Sequence, residues 1–278
     1  MFVAVVALAS IVWLVRPLAR DLLAGAEQGP PLAPGQRRAV LVELFTSEGC
    51  SSCPPADRLL IDLERAQAVA GAEIIPLSLH VDYWDGLGWR DPFSSAEFTV
   101  RQDEYRRAFS NLSNYTPQMV VDGAQEFTGS DRGAAMRAIS RAVQAAKARV
   151  ELALAAPPGD SAVRLAVRVS GLPEARGDEA EVLIALTESG LANNVSRGEN
   201  AGRRIEHTAV VRRLERAGRF RPGREREFTA ERTVKLDANW RRENLRAIAL
   251  VQDRKSRRIL GAASSTLASQ PVQSKPAE

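Results

Sequence analysis

The hydrophobic period of this chain changes once, at Val150, and that change constrains the fold more than any other feature. Upstream, apolar runs of strand length at 39–45 (AVLVELF), 73–81 (EIIPLSLHV) and 118–121 (QMVV) alternate with segments of helical spacing at 54–70, 95–110 and 129–149. Strands that alternate with helices argue for an α/β domain. Downstream the period is two, as in 150–154 and in 163–169 (VRLAVRV), with Pro157-Pro158-Gly159-Asp160 as a turn between them. Further runs at 181–186, 205–214, 226–236, 245–252 and 258–263 bring the number of short strands to about seven, the pattern of a β-sandwich. The expected organisation is therefore an α/β domain over 38–149 followed by a smaller all-β, sandwich-like domain over 150–266.

The ends of the chain read differently. Residues 1–15 (MFVAVVALASIVWLV) carry no charge and are followed by Arg16, Arg20 and Asp21. As a helix this run spans roughly 22 Å against a hydrocarbon core of roughly 30 Å, so it suits the apolar part of an export signal better than a full span. Residues 1–26 are read as a signal peptide or an uncleaved N-terminal membrane anchor. A Pro/Gly linker follows at 27–37, and 267–278 reads as a disordered tail. The localisation this implies is periplasmic or secreted, with anchoring at the inner membrane as the alternative.

Composition removes several function classes. The 38 Lys+Arg face 34 Asp+Glu for a net charge of +4, scattered rather than blocked, which argues against nucleic acid as a partner. Two Cys cannot build a disulfide framework, and two His leave little material for a zinc site. Both Cys nevertheless fall in one motif, Cys50-Ser51-Ser52-Cys53, between the first strand and the first helix. At a helix N-terminus the unpaired N–H groups and the dipole stabilise a thiolate. Cys50 is read as the more exposed, attacking thiol and Cys53 as the buried, resolving one. Pro54-Pro55 suits a helix start, where the missing N–H groups are not needed. A half zinc site or a static disulfide has the same spacing.

A second motif, Asn114-Tyr115-Thr116-Pro117 ahead of the 118–121 strand and the Asp122-Gly123 turn, joins the CxxC to a Thr-Pro. This combination resembles the thioredoxin superfamily. The resemblance implies a thioredoxin-like α/β domain, a cis Thr116–Pro117 bond packed on the disulfide, and a Thr116 backbone free to pair with a substrate chain beside Cys50. The runs at 44–57 (LFTSEGCSSCPPAD), 79–93 (LHVDYWDGLGWRDPF), 101–105 and 115–123, with 196–214 and 244–263, look more specifically like the bacterial secreted family DUF1223. That likeness covers most of the chain in outline and implies a fold and a compartment, but no substrate. In thioredoxin a buried acid in the strand before the motif moves protons; here Leu44 stands at that place and Glu43 one residue away.

His80, Asp82, Tyr83, Trp84, Asp85 and Trp89 cluster where the second strand ends, a position where α/β sheets place ligand-binding side chains. His80 suits a proton shuttle, a third ligand to a soft metal with Cys50 and Cys53, or a buried strand histidine with a backbone partner. Trp84 and Trp89 suit a peptide-binding rim or loop packing. Glu48 is expected to be solvated and His207 structural. The leading functional expectation is an exported thiol–disulfide oxidoreductase with Cys50, Cys53, Thr116 and Pro117 as its site. It would need no organic cofactor beyond the redox-active disulfide, and its partners would be a protein thiol or disulfide and a second redox protein. A copper-delivery module and a non-catalytic interaction protein are the alternatives.

Overall fold

The computed structural model describes residues 35–155, 161–172 and 179–267. The apolar N-terminal segment expected to direct export, most of the expected linker and nearly all of the expected tail lie outside the described residues. The first helix, α1 (Pro54–Ala66), starts at the double proline, with both rings at positions that need no N–H donor. The second, α2 (Ala96–Phe109), is capped by Ser95, whose hydroxyl accepts from the Glu97 N–H. The third, α3 (Arg132–Ala142), is capped in the same way by Asp131 and is shorter than its periodicity predicts.

The strands assemble differently from the expectation. The described residues are mostly β, 44% strand against 18% helix, with three α-helices among them. An eight-stranded mixed sheet draws strands from both sides of Val150. From the upstream half come β1 (Arg38–Thr46), β2 (Ala72–His80), β3 (Gln118–Val121) and β4 (Gln125–Thr128). From the downstream half come β7 (Ala180–Glu188), β10 (Val210–Phe220), β12 (Leu245–Asp253) and β13 (Ile259–Thr266). The order across the sheet is β13-β12-β7-β10-β2-β1-β3-β4. The expected thioredoxin-like α/β domain followed by a separate β-sandwich is thus corrected. The seam is the parallel contact of β10 with β2, Val210 opposite Ser78, supported by the Ser78 N–H donating to Ala209 O at 2.8 Å.

Side-chain alternation makes this sheet a shared floor. One face, built on Leu41, Phe45, Ile75, Leu77 and Leu79, runs on into Leu183, Ala185, Ile248 and Leu250, and α2 covers it with Phe98 and Tyr105. On the opposite face α1 and α3 cover Val40, Val42 and Ile74. Beside them a three-stranded sheet of β11 (Glu227–Lys235), β6 (Ala162–Ser170) and β5 (Arg149–Ala155) covers Val182, Ile184, Ala247 and Ala249. The downstream half does contain two packed sheet layers, but one of them is the large sheet itself. A small hairpin of β8 (Leu191–Asn194) and β9 (Arg204–His207) stands beside α1. The run at 205–214, which reads as one strand, breaks at Ala209, where φ is +48°.

The turn at Asp122-Gly123 forms as its dipeptide predicts, both residues having positive φ. Gly123 is required there for a second reason: a Cβ would lie 1.9 Å from the Arg257 carbonyl oxygen, so the β3–β4 turn sits directly on the β12–β13 turn.

Candidate functional site

Cys50 and Cys53 form a disulfide at the start of α1, with Cα atoms 5.5 Å apart and Cys53 at the N-cap. The Cys53 N–H donates to Cys50 O at 3.2 Å, and the Ala56 and Asp57 N–H groups donate to Cys53 O. Both cysteines are 0% exposed, whereas Ser51 and Ser52 between them are exposed. The expectation of an exposed Cys50 is therefore corrected.

The connection between β8 and β9 is tied to the backbone of the CxxC loop. The Asn200 Nδ2 group donates to Glu48 O at 2.8 Å and to Cys50 O at 2.9 Å, and the Glu199 carboxylate accepts from the Ser51 N–H at 3.0 Å. The same connection packs backbone to backbone on the Trp loop. A Cβ on Gly88, at φ +104°, would be 3.3 Å from Gly198 Cα.

Glu48 is buried, against expectation, and its burial has a physical reason. Its carboxylate accepts from Trp89 Nε1 at 2.9 Å, from Asn193 Nδ2 at 2.8 Å and from His207 Nε2 at 2.9 Å. Three donors offset the cost of desolvating the charge and tie the CxxC loop to both the Trp loop and the small hairpin. His207 is likewise part of the site rather than a distant structural residue. Its Nδ1 stands 3.9 Å from Asp57 Oδ1, and neither atom has another partner.

His80, at the end of β2, is buried with Nδ1 2.7 Å from Asp91 Oδ2, and its ring meets His207 edge-on at a centroid distance of 4.8 Å. Asp91 also accepts from the Glu48 and Phe93 N–H groups, and the Phe93 ring packs edge-on against both imidazoles. The partner of His80 is thus a carboxylate and not a backbone group. Among the described residues, no group of three or more His, Cys, Asp or Glu has an arrangement that could hold a metal ion, so His80 is not brought together with the two sulfurs as a ligand set.

These contacts set the protonation states. Burial pushes the Asp57 carboxyl up, and the nearby imidazoles of His207 and His80 only partly offset it. For His80, burial opposes the charge, but the Asp91 carboxylate outweighs it and raises the imidazole above its ordinary 6.5. Burial also opposes ionisation of Asp91, and His80 with the two backbone donors holds it below its ordinary 3.8. The stabilisation from raising His80 is complete below pH 6.5 and is lost as pH rises through the raised value. That from lowering Asp91 is complete above pH 3.8 and is lost as pH falls through the lowered value. Asp91→Asn is therefore expected to lower the thermal midpoint by several degrees between pH 3.8 and 6.5, with the difference from wild type shrinking on both sides of that window. Calorimetric melts across pH check this, and a difference independent of pH would contradict it.

The Thr-Pro motif lies alongside. The Thr116–Pro117 bond is cis. Trp84 Nε1 donates to Thr116 Oγ1 at 2.8 Å, and a Cβ on Gly49 would lie 3.1 Å from Trp84 Cβ, so Trp84 holds the CxxC loop and the proline loop together. Thr116 is half-exposed, and among the described residues its own N–H and C=O take no partner. Sequence reasoning placed Cys50, Cys53, Thr116, Pro117, His80, Trp84 and Glu48 in one region, and the structure brings them together. It missed Asp57, Asp91, Asn200 and the role of His207. Asp57 carried a legible signal: it lies four residues after Cys53, hence on the same face of α1.

The family model described as "Protein of unknown function (DUF1223)" matches residues 41–252 of this chain. The chain belongs to the DUF1223 family. The match takes in the disulfide, the Trp loop, the Thr-Pro loop and the β8–β9 connection, so both halves of the site lie within it. Among solved structures, a structural-genomics protein of Agrobacterium tumefaciens is 26% identical, with a TM-score of 0.61, over 86% of this chain and 99% of that one. HBP35 of Porphyromonas gingivalis shares the fold at 14% identity, with a TM-score of 0.63, over 87% of this chain and 80% of that one. No curated protein matches the chain. Among the described residues no helix is long and apolar enough to cross a membrane.

Proposed function

We propose that this DUF1223 protein carries out thiol–disulfide exchange at Cys50–Cys53 on protein substrates outside the cytoplasm, delivered there by its apolar N-terminal segment. The observation that carries the reading is the pairing of a disulfide at a helix N-terminus with a buried acid, Asp57, on the same helix one turn behind Cys53. A buried carboxyl that its neighbours only partly compensate is costly, and such costs concentrate where a proton has to be held or moved.

In the oxidising direction a substrate thiolate attacks Cys50 Sγ, the S–S bond breaks, and Cys53 leaves as a thiolate. Asp57, on the same face of α1 and with its carboxyl pushed up by burial, is the group given the role of passing a proton to that sulfur. A second substrate thiolate then attacks the substrate sulfur of the mixed disulfide and expels Cys50, whose thiolate is stabilised by the helix terminus. The substrate dithiol becomes a disulfide and the CxxC becomes a dithiol, which a second redox protein re-oxidises. The reducing direction is the same path reversed. The open N–H and C=O of Thr116 offer an extended substrate segment two backbone hydrogen bonds beside the disulfide.

Trapping tests this reading. Cys53→Ser, incubated with glutathione disulfide, is expected to retain one glutathione on Cys50, released by dithiothreitol and visible as a mass increase. Cys50→Ser is expected to retain at least tenfold less on Cys53. Equal labelling of the two single-cysteine variants, or none, would remove the basis for the proposed roles.

A further inference from the structure

The large sheet carries a second feature that the exchange chemistry does not use. A cleft of about 420 Å³ opens where the last turns of α2 meet β7, β10 and the β12–β13 turn. Arg216 and Arg219 line it six and nine residues along β10 from Val210, roughly 20–30 Å from the seam near the disulfide at the rise of a β-strand. Six cations face this cleft: Arg107, Arg216, Arg219, Arg254, Lys255 and Arg257. Two carboxylates do so, Glu104 and Glu181.

Those two carboxylates are already committed. Arg257, 6% exposed, donates through Nη1 to Glu181 at 2.9 Å and through Nη2 to Glu104 at 2.5 Å. Its Nε is buried with no partner. Arg254 is paired with Glu179 on the rim. Arg107, Arg216, Arg219 and Lys255 make no ion pair among the described residues. Four unpaired cations therefore gather around one concavity in a chain whose whole net charge is +4.

Like charges gathered around one cleft repel one another and disfavour the folded state, so a scattered solvated surface is not what this arrangement resembles. A multiply charged oxyanion relieves the repulsion, and guanidinium forks match its geometry with paired N–H donors. We infer that this cleft is a binding site for a phosphoryl anion, with Arg216, Arg219 and Lys255 as its mobile donors and Arg257 as its fixed base. The cleft is at the small end of ligand-pocket volumes, which suits a diphosphate-sized group, whether free or on a lipid headgroup.

Calorimetric titration of the full-length protein with inorganic pyrophosphate, and co-sedimentation with phosphatidylcholine vesicles with and without phosphatidic acid, whose headgroup is a phosphomonoester, separate the two sources. Vesicle binding is counted only as the excess over phosphatidylcholine alone, which reports the apolar N-terminal segment. Saturable pyrophosphate binding assigns a soluble phosphoryl compound; vesicle binding without it assigns a headgroup. In either case the triple variant Arg216→Ala, Arg219→Ala, Lys255→Ala is expected to bind at least tenfold more weakly. These three side chains are on the surface and in no described ion pair, so the variant should melt no lower than the wild type, and Arg216→Lys is a milder second variant if it does. Absence of binding to both probes, or binding that the triple variant retains, overturns the inference.

Discussion

Replacing Arg101 by leucine is expected to destabilise the protein by about 3–5 kcal/mol, the cost of leaving a buried charge without its partner. Arg101 reaches from α2 under the sheet, where Nε donates to Glu43 Oε1 at 2.6 Å, Nη1 to Gln252 Oε1 at 3.1 Å and Nη2 to the Tyr105 hydroxyl at 3.3 Å. The Tyr105 hydroxyl in turn donates to Glu43 Oε2, and Gln252 Nε2 donates to Tyr105 Oη at 2.9 Å and to Arg257 O at 2.6 Å. Glu43, Tyr105 and Gln252 are all 0% exposed. Burial and the Glu43 charge both push the Tyr105 phenol well above its ordinary range, which keeps it a donor. The network joins α2 to β1 and to β12, so it pins together strands from the two halves of the sequence. Urea unfolding of Arg101→Leu measures the loss, and adding Glu43→Gln is expected to recover a substantial part of it by removing the stranded carboxylate. A loss below about 1 kcal/mol, or no recovery in the double variant, would show that the Glu43 charge is not confined as described.

Asn200→Ala is expected to expose the disulfide without unfolding the protein. Its two hydrogen bonds to the Glu48 and Cys50 carbonyls hold the β8–β9 connection against the CxxC loop, whose two cysteines have no exposed surface. A net value of about 0.5–1.5 kcal/mol for each bond makes local opening easier by about 1–3 kcal/mol, which is roughly 5- to 150-fold in the population of the open form. Reduction by dithiothreitol, followed under native conditions well below the urea transition, should accelerate by that factor, and urea unfolding should register a global loss no larger than the same amount of about 1–3 kcal/mol. An unchanged reduction rate would mean that something other than this connection controls access, and the covering role given to Asn200 would be wrong.

Local structure was legible in the sequence where local chemistry decides it. The double proline marks the start of α1, Ser95 the start of α2, and Asp122-Gly123 the β3–β4 turn, each within the reach of a few residues. The cysteine pair and the Thr-Pro loop were legible for the same reason. The sheet was not, because its order depends on pairings between distant segments that periodicity does not encode. The buried run of β7 fits the centre of a separate sandwich as well as it fits a place between β12 and β10. Among the described residues, the pairing of Val210 with Ser78 is what joins the two halves into one sheet. The site has the same division. Glu48 reads as a solvated acid until His207, 159 residues away, and Asn193, 145 residues away, supply donors to its carboxylate.

The most direct test of the account is the equilibrium of the Cys50–Cys53 couple with glutathione, combined with the thiolate absorbance of the reduced protein as a function of pH. Reversible exchange at a potential above roughly −300 mV, with a Cys50 thiol that ionises below the ordinary value of about 8.5, is the expected result. A disulfide that glutathione does not reduce, in a protein whose reduced form shows no thiol ionising below that value, would contradict it.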